Sequence, residues 1–291
     1  MSDLYVTPAR FRTLGTGLTL SQSDAELQAI LFSASQAVNA AVNAPDDYSF
    51  LGGSVTAEPH AWKTTSRAPK QTDGRIWLLK RPVLAVTAVR INVTKTQHID
   101  FDETGLFLET EAGYVEPVGA PSTTALFTSV PPWLLTSPIS YTDYTYGFHQ
   151  VATEETMAQI SGGILQANHQ FWFTDEDVEL KKDGVVVDPG DYTIDYYEGT
   201  ITPATPPAGE VWKASYHYKL PPGIASAVQL VATDIIGASA IAAAGLLGLS
   251  GIKVEEVELR QSSKINFAVQ PISAAAKIHL GRYQAMFTSM R

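Results

Sequence analysis

The sequence predicts an α+β fold: a helical core made of an N-terminal helix and a long small-residue helix, an antiparallel β-sheet or β-barrel-like module, and an extended C-terminal tail. Three observations predict it. A capped, Ala-rich amphipathic pattern opens the chain, short strands broken by glycine turns follow later, and an uncharged stretch of small residues comes after those strands.

The first helix is signalled in "SDAELQAILFSASQAVNAAV". Ser23 stands as N-cap with Glu26 three residues on, a capping box. Leu27, Ile30, Leu31, Ala34, Val38, Ala41 and Val42 then recur at helical spacing, and "NAPDDYSFLGG" ends the run. "RIWLLKRPVLAVTAVRINVT" is rich in β-formers and interrupted by Pro82, which suits a strand edge or bend. "LTSPISYTDYTYGF" is aromatic and polar with no clear period, and reads as a long loop or an inserted module.

The clearest strand signal is "DVELKKDGVVVDPGDYTIDYYEGTITPATPPAGEVWKASYHY". Asp183-Gly184 is a two-residue hairpin signal. Pro189-Gly190 suits a type II turn, and Glu198-Gly199 and Ala208-Gly209 mark further reversals. Trp212, Ala214, Tyr216 and Tyr218 alternate with Val211, Lys213, Ser215 and His217, the period of a half-buried strand.

"IIGASAIAAAGLLGLSGI", Ile235 to Ile252, carries no charge and is long enough to raise the question of a bilayer. Its seven large aliphatics contribute roughly −3 kcal/mol to insertion, which its glycines and serines offset, and no Lys/Arg cluster or aromatic belt flanks it. The pattern begins earlier, so that Gln229 and Asp234 share the helix. A helix of small residues lets other backbones approach closely and belongs in a core or between subunits. Ala240, Ala244 and Leu247 are its expected subunit-interface positions. A strand-like "KVEEVELRQSSKINFAV" and a helical "SAAAKIHLGRYQAMFTSM" close the chain.

These signals divide the chain into an N-terminal helix region at 1–62, first core strands at 63–95, an inserted β/loop module at 96–170, the antiparallel sheet at 171–220, the long helix at 221–252 and a C-terminal tail at 253–291. The 291 residues include no cysteine, which excludes disulfides, thiolate zinc sites and thiol nucleophiles. "MSDLYVTPARF" lacks the apolar core of a secretory signal, so a soluble product made in the cytoplasm is expected.

The net charge of −10 is uneven. Between Gln97 and Leu220 there are 19 acidic residues against 4 lysines, whereas Leu259–Arg291 holds five basic residues and no acid. An acidic body argues against gripping nucleic acid, and a basic tail suits docking onto an acidic partner.

Chemical motifs are scarce. "DFDETGLFLETE" sets Asp100, Asp102, Thr104, Gly105 and Glu111 at EF-hand positions, but its flanks are β-like where calcium loops of this kind need helices, which favours a turn at Glu103-Thr104-Gly105. The six histidines show no metal-ligand spacing in sequence. No phosphate-cradling loop or nucleophile elbow appears, so neither a catalytic residue nor a cofactor or metal site is assigned, and a non-enzyme is expected. The aromatics from Trp133 to Phe148 and in "HQFWF" (His169–Phe173) suit core or subunit contacts, with sugar stacking as the alternative.

The order of segments resembles the head-tail connector (adaptor, or head-completion) proteins of tailed bacteriophages. The resemblance rests on "YVTPARFRTL" before the capped helix, "LLKRPVLAVTAVRINV", the "DGVVVDPGDYTIDYYEGTITPATPPAGEVWKASYHY" sheet, the Pro-initiated "LPPGIASAVQLVATDII" and a closing "VELRQSSKINFAV" before "LGRYQ". The chain exceeds the family's usual length by material placed at about 96–170. The resemblance implies a virion protein at the head-tail interface: a homo-oligomeric, typically dodecameric ring beneath the portal, passing double-stranded DNA through its channel, meeting a tail or nozzle protein and touching no membrane. It also implies a portal-docking tail, with Arg260, Lys264, Lys277, Arg282 and Arg291 as charges and Tyr283, Phe287 and Met290 as apolar anchors. A tail-nozzle or baseplate protein and a carbohydrate-binding adhesin are the alternatives.

Overall fold

The computed structural model describes residues 3–13, 22–45, 47–60, 75–92, 98–110, 112–118, 140–243 and 272–288. The chain is of mixed α+β class and divides into two compact units. One is discontinuous, built from Met1–Phe50 and Gln150–Ser289; the other, Leu51–His149, interrupts it in sequence. The interruption therefore begins and ends earlier than 96–170, and residues 150–170 fold with the discontinuous unit.

Among the described residues four helices belong to the discontinuous unit: α1 (Pro8–Thr13), α2 (Asp24–Ala41), α3 (Pro222–Ala243) and α4 (Ala274–Thr288). The capping box forms as expected, with the Glu26 amide donating to Ser23 Oγ at 3.3 Å and the Ser23 amide to Glu26 Oε2 at 2.8 Å. α2 buries Leu27, Leu31, Ala34 and Val38, and α3 buries Ile224, Ala227, Val228, Val231, Ala232, Ile235 and Ile236. α2 packs on α3 and α3 on α4. At Gly223 an added Cβ would lie 2.9 Å from the His279 carbonyl oxygen, so the start of α3 meets α4 backbone to side-chain-free backbone. The first turns of the small-residue helix thus find cover within their own chain.

Among its described residues the interrupting unit is built of strands, with one 3-10 turn at Glu103–Gly105. Strands β1 (Gly53–His60), β3 (Val83–Asn92), β4 (His98–Asp102) and β7 (Ser140–Tyr146) form an antiparallel sheet in the order β1-β7-β3-β4. Strands β2 (Ile76–Trp77), β5 (Leu106–Glu109) and β6 (Tyr114–Pro117) form a second, ordered β2-β6-β5. The stretch expected to be a loop supplies β7, a central strand. Its strict alternation buries Ser140, Thr142, Tyr144 and Tyr146. Those inward residues carry hydroxyls, so hydropathy does not reveal the period of two.

The chain then returns to the discontinuous unit through eight strands: β8 (Gln150–Thr156), β9 (Ala158–Gln159), β10 (Leu165–Gln166), β11 (Glu179–Lys182), β12 (Val185–Val186), β13 (Tyr192–Asp195), β14 (Thr200–Pro203) and β15 (Trp212–Tyr218). They form two antiparallel sheets, β12-β11-β15-β8 and β13-β14-β10-β9, which share one core: Leu180, Trp212, Ala214 and Tyr216 from the first meet Leu165, Tyr192 and Ile201 from the second. β15 alternates as its sequence predicts. The Asp183-Gly184 hairpin also forms, with φ of 50° and 83° and Lys182 opposite Val185. Pro189-Gly190 is not a type II turn, because Gly190 is not left-handed. Asp188 Oδ1 accepts the Gly190 amide at 2.8 Å and draws Pro189–Asp191 into a 3-10 turn.

Candidate functional site

The expected docking tail is in part a core element. In α4, Ala276, Leu280, Tyr283 and Phe287 are spaced four, three and four residues apart, which puts them on one stripe, and all four are buried. The Tyr283 ring lies 5.5 Å from Phe50, and Phe287 lies 4.9 Å from Tyr48, both edge-on. Tyr5 joins the same group, 5.8 Å from Phe50. Tyr283 and Phe287 are therefore not free anchors, because their rings fill the interior of the discontinuous unit. Gln284 Nε2 adds a hydrogen bond to the Ala41 carbonyl at the end of α2, at 2.9 Å. The exposed side of α4 presents Lys277, Ile278 and Arg282, with Ile278 81% accessible. The Arg282 guanidinium lies over its neighbour's ring and donates to the Tyr283 hydroxyl.

Arg260, Lys264, Met290 and Arg291 lie outside the described residues, as do Ala244 and Leu247. Ala240 falls in the last turns of α3.

A second cluster, which sequence reasoning missed, joins the N-terminal segment to the β8–β15 sheets. Arg10 of α1 is buried, and its Nη2 donates to the Asn168 carbonyl at 2.8 Å. The Thr7 hydroxyl donates to Glu198 Oε2 at 2.7 Å, and Gln170 Nε2 donates to both, at 2.8 and 2.9 Å. Burial holds Arg10 below its ordinary range, and the carboxylates of Glu155 and Glu198 act the other way. Glu155 Oε1 takes the Asn168 amide at 2.7 Å and the Tyr216 hydroxyl at 2.9 Å. His169 stacks on Tyr218 at 4.1 Å, and Trp172 on Tyr216 at 3.9 Å. Donors and acceptors here satisfy one another, so the network is a tether. The signal was a threonine and an arginine three apart in the apolar "YVTPARF". Trp172 is 2% exposed, so its face is closed to a sugar; Trp133 lies outside the described residues.

The third cluster lies in the interrupting unit. On one face of the β1–β7 pair, Glu58 stands opposite Thr142 and His60 opposite Ser140, with Tyr144 next along β7. All five side chains are buried. The Tyr144 hydroxyl donates to Glu58 Oε2, and the Leu79 amide to Glu58 Oε1 at 3.0 Å. Burial raises the Glu58 carboxyl above its ordinary range, against the hydrogen bonds from Tyr144 and Leu79.

The other face of that sheet carries an open groove of about 670 Å³, lined by Tyr141, Arg90, Asp100, Phe101, Asp102 and Asp143 among others. Here lie the acids whose spacing suggested calcium. Arg90 Nε holds Asp100 Oδ1 at 2.8 Å, and Asp102 Oδ1 accepts the Thr104 hydroxyl at 2.6 Å and the amides of Thr104 and Gly105. Strands β4 and β5 flank the segment, as its sequence predicts, and Asp102 caps a 3-10 turn at Glu103–Gly105 between them; Glu111 lies outside the described residues.

Neither a protein-family model nor a curated protein matches the chain. Among the described residues, no helix is long and apolar enough to cross a membrane.

Proposed function

We propose that the chain is a non-catalytic virion protein, a head-to-tail connector that assembles as a ring beneath the portal, extends the DNA channel and receives the tail. One observation carries the reading. Most of the segments on which the resemblance rests come together in a single unit: the "YVTPARF" opening and α2, the β11–β15 strands, and the Pro-initiated α3. The unusual length falls in the interrupting unit, which also takes the "LLKRPVLAVTAVRINV" segment. In this reading the β8–β15 sheets are the barrel-like module, and the interrupting unit is an addition on the connector frame.

Charge supports the reading as well. Asp175, Asp177, Asp183, Asp188, Asp191 and Asp195 are exposed on the β8–β15 module. Such a surface repels phosphates and lets DNA slide past without sequence-specific contact. Tyr283 and Phe287 being core residues, docking onto the portal falls to charges: Lys277 and Arg282 on α4, with Arg260, Lys264 and Arg291.

The test is charge reversal. Arg260→Glu, Lys264→Glu and Lys277→Glu together should weaken binding to the cognate portal by about tenfold or more and make it less salt-sensitive, because charged contacts at an interface rim act mainly through long-range attraction. Unaltered affinity in a folded triple variant would remove the docking role. Arg282 is left unchanged because it packs on Tyr283.

A further inference from the structure

The buried polar ladder between β1 and β7 has no part in the connector reading, and it is costly. His60 is 1% exposed, and among the described residues neither of its ring nitrogens has a hydrogen-bond partner. Among the described residues the buried hydroxyls of Ser140 and Thr142 have no partner either. Buried polar groups are almost always paired, so three unpaired side chains on one strand pair call for an explanation. The apolar side chains of Val86, Val89 and Ile91 on β3 lie beside β7 in register with Tyr144, Thr142 and Ser140, and offer no polar partner.

The groups that could respond to a proton there are few. Glu58 Oε1 stands 3.6 Å from His60 Nε2 on the same strand. From β7 comes Tyr144, bound to Glu58. From the segment between β2 and β3 come Lys80, whose charge favours ionised Glu58, and Arg81, buried and bonded to the Leu78 carbonyl at 3.3 Å. The cations of this segment would oppose a further positive charge in the ladder.

We propose that the Glu58–His60–Tyr144 ladder is an acid-sensitive latch: the β1–β7 pair stays closed while His60 is neutral and opens when that enclosed ring takes up a proton. A neutral imidazole tolerates the site because only its dipole is unsolvated; an imidazolium carries a full charge with no water to spread it. Burial accordingly depresses the His60 pKa from 6.5 to about 4. The opened chain binds that proton more readily than the closed one, so stability falls as pH drops from about 6.5 towards 4. Glu58, raised by burial, works in the opposite sense, its contribution being lost as pH rises through its folded value. Comparison with a variant that keeps Glu58 cancels that contribution. The inference stands independently of the connector reading.

Hydrogen exchange on the full chain, corrected for intrinsic rates, tests the latch. Relative to His60→Leu, the opening constant of β1 and β7 in the wild type should rise by roughly 50- to 100-fold between about pH 7.5 and about pH 4.5, with α2 in the other unit unaffected. An unchanged ratio would overturn the latch. Should His60→Leu fail to fold, the imidazole resonance of His60 in the wild type gives the same decision: titration near 5 or below supports the latch, and titration near 6.5 in the closed state overturns it.

Discussion

A chain ended after Ser273 is expected to lose the cooperative unfolding of the discontinuous unit, although it sheds only the last part of the sequence. The truncation removes Ala276, Leu280, Tyr283 and Phe287, all buried, and uncovers Phe50, Tyr48 and the α4-facing side of α3. Phe287→Ala alone should cost about 3–5 kcal/mol, against a total of ~5–15 kcal/mol for a typical domain. Urea denaturation followed by circular dichroism reads the effect. A sharp transition with an unshifted midpoint in the truncated chain would show that α4 is dispensable. The same arithmetic bears on any search for a docking tail: deleting 259–291 confounds loss of partner contacts with loss of core, and charge reversal separates them.

Gly199→Ala is expected to be damaging too, by about 2–5 kcal/mol, from one methyl group. Gly199 has φ +66° at the turn between β13 and β14, and its Cβ would fall 2.2 Å from the His169 carbonyl oxygen and 3.0 Å from Trp172 Nε1. Those two atoms hydrogen-bond each other at 2.8 Å. The methyl must therefore push the indole and the carbonyl apart or move β14, and Trp172 is a central ring of the shared core. Gly184→Ala is the control. It has φ +83° with nothing within 4 Å of the added Cβ, so only the left-handed backbone is penalised, by roughly 1–2 kcal/mol. Equal midpoints for the two variants in urea would refute the steric account.

The elements that the sequence made legible are those whose local chemistry and tertiary role agree. Ser23 and Glu26 cap α2 because the capping box needs only four consecutive residues, and β15 shows its alternation because its inward side chains are large and aromatic. What stayed hidden depends on partners far along the chain. β7 buries serine, threonine and tyrosine, so its inward face looks as polar as its outward one. The break between units falls at Leu51 and after His149, where composition does not change in a telling way. Arg10 and Thr7 are tied to residues about 160 to 190 positions away, a pairing no spacing rule reveals. His217 Nδ1 stands 3.8 Å from Glu176 Oε2 for the same reason, unforeseen because the two are distant in sequence. Tyr283 and Phe287 were misplaced because a buried stripe and an exposed anchor use the same residue types; the four-three-four spacing with Ala276 and Leu280 separates them.

Electron microscopy of the purified chain, alone and mixed with its portal, bears most directly on whether this molecule joins a capsid to a tail. Closed rings of identical copies, formed unaided or on the portal's outer face, are the expected image. Single particles that stay separate at high concentration and leave the portal bare would contradict the assignment, whatever the stability of the fold.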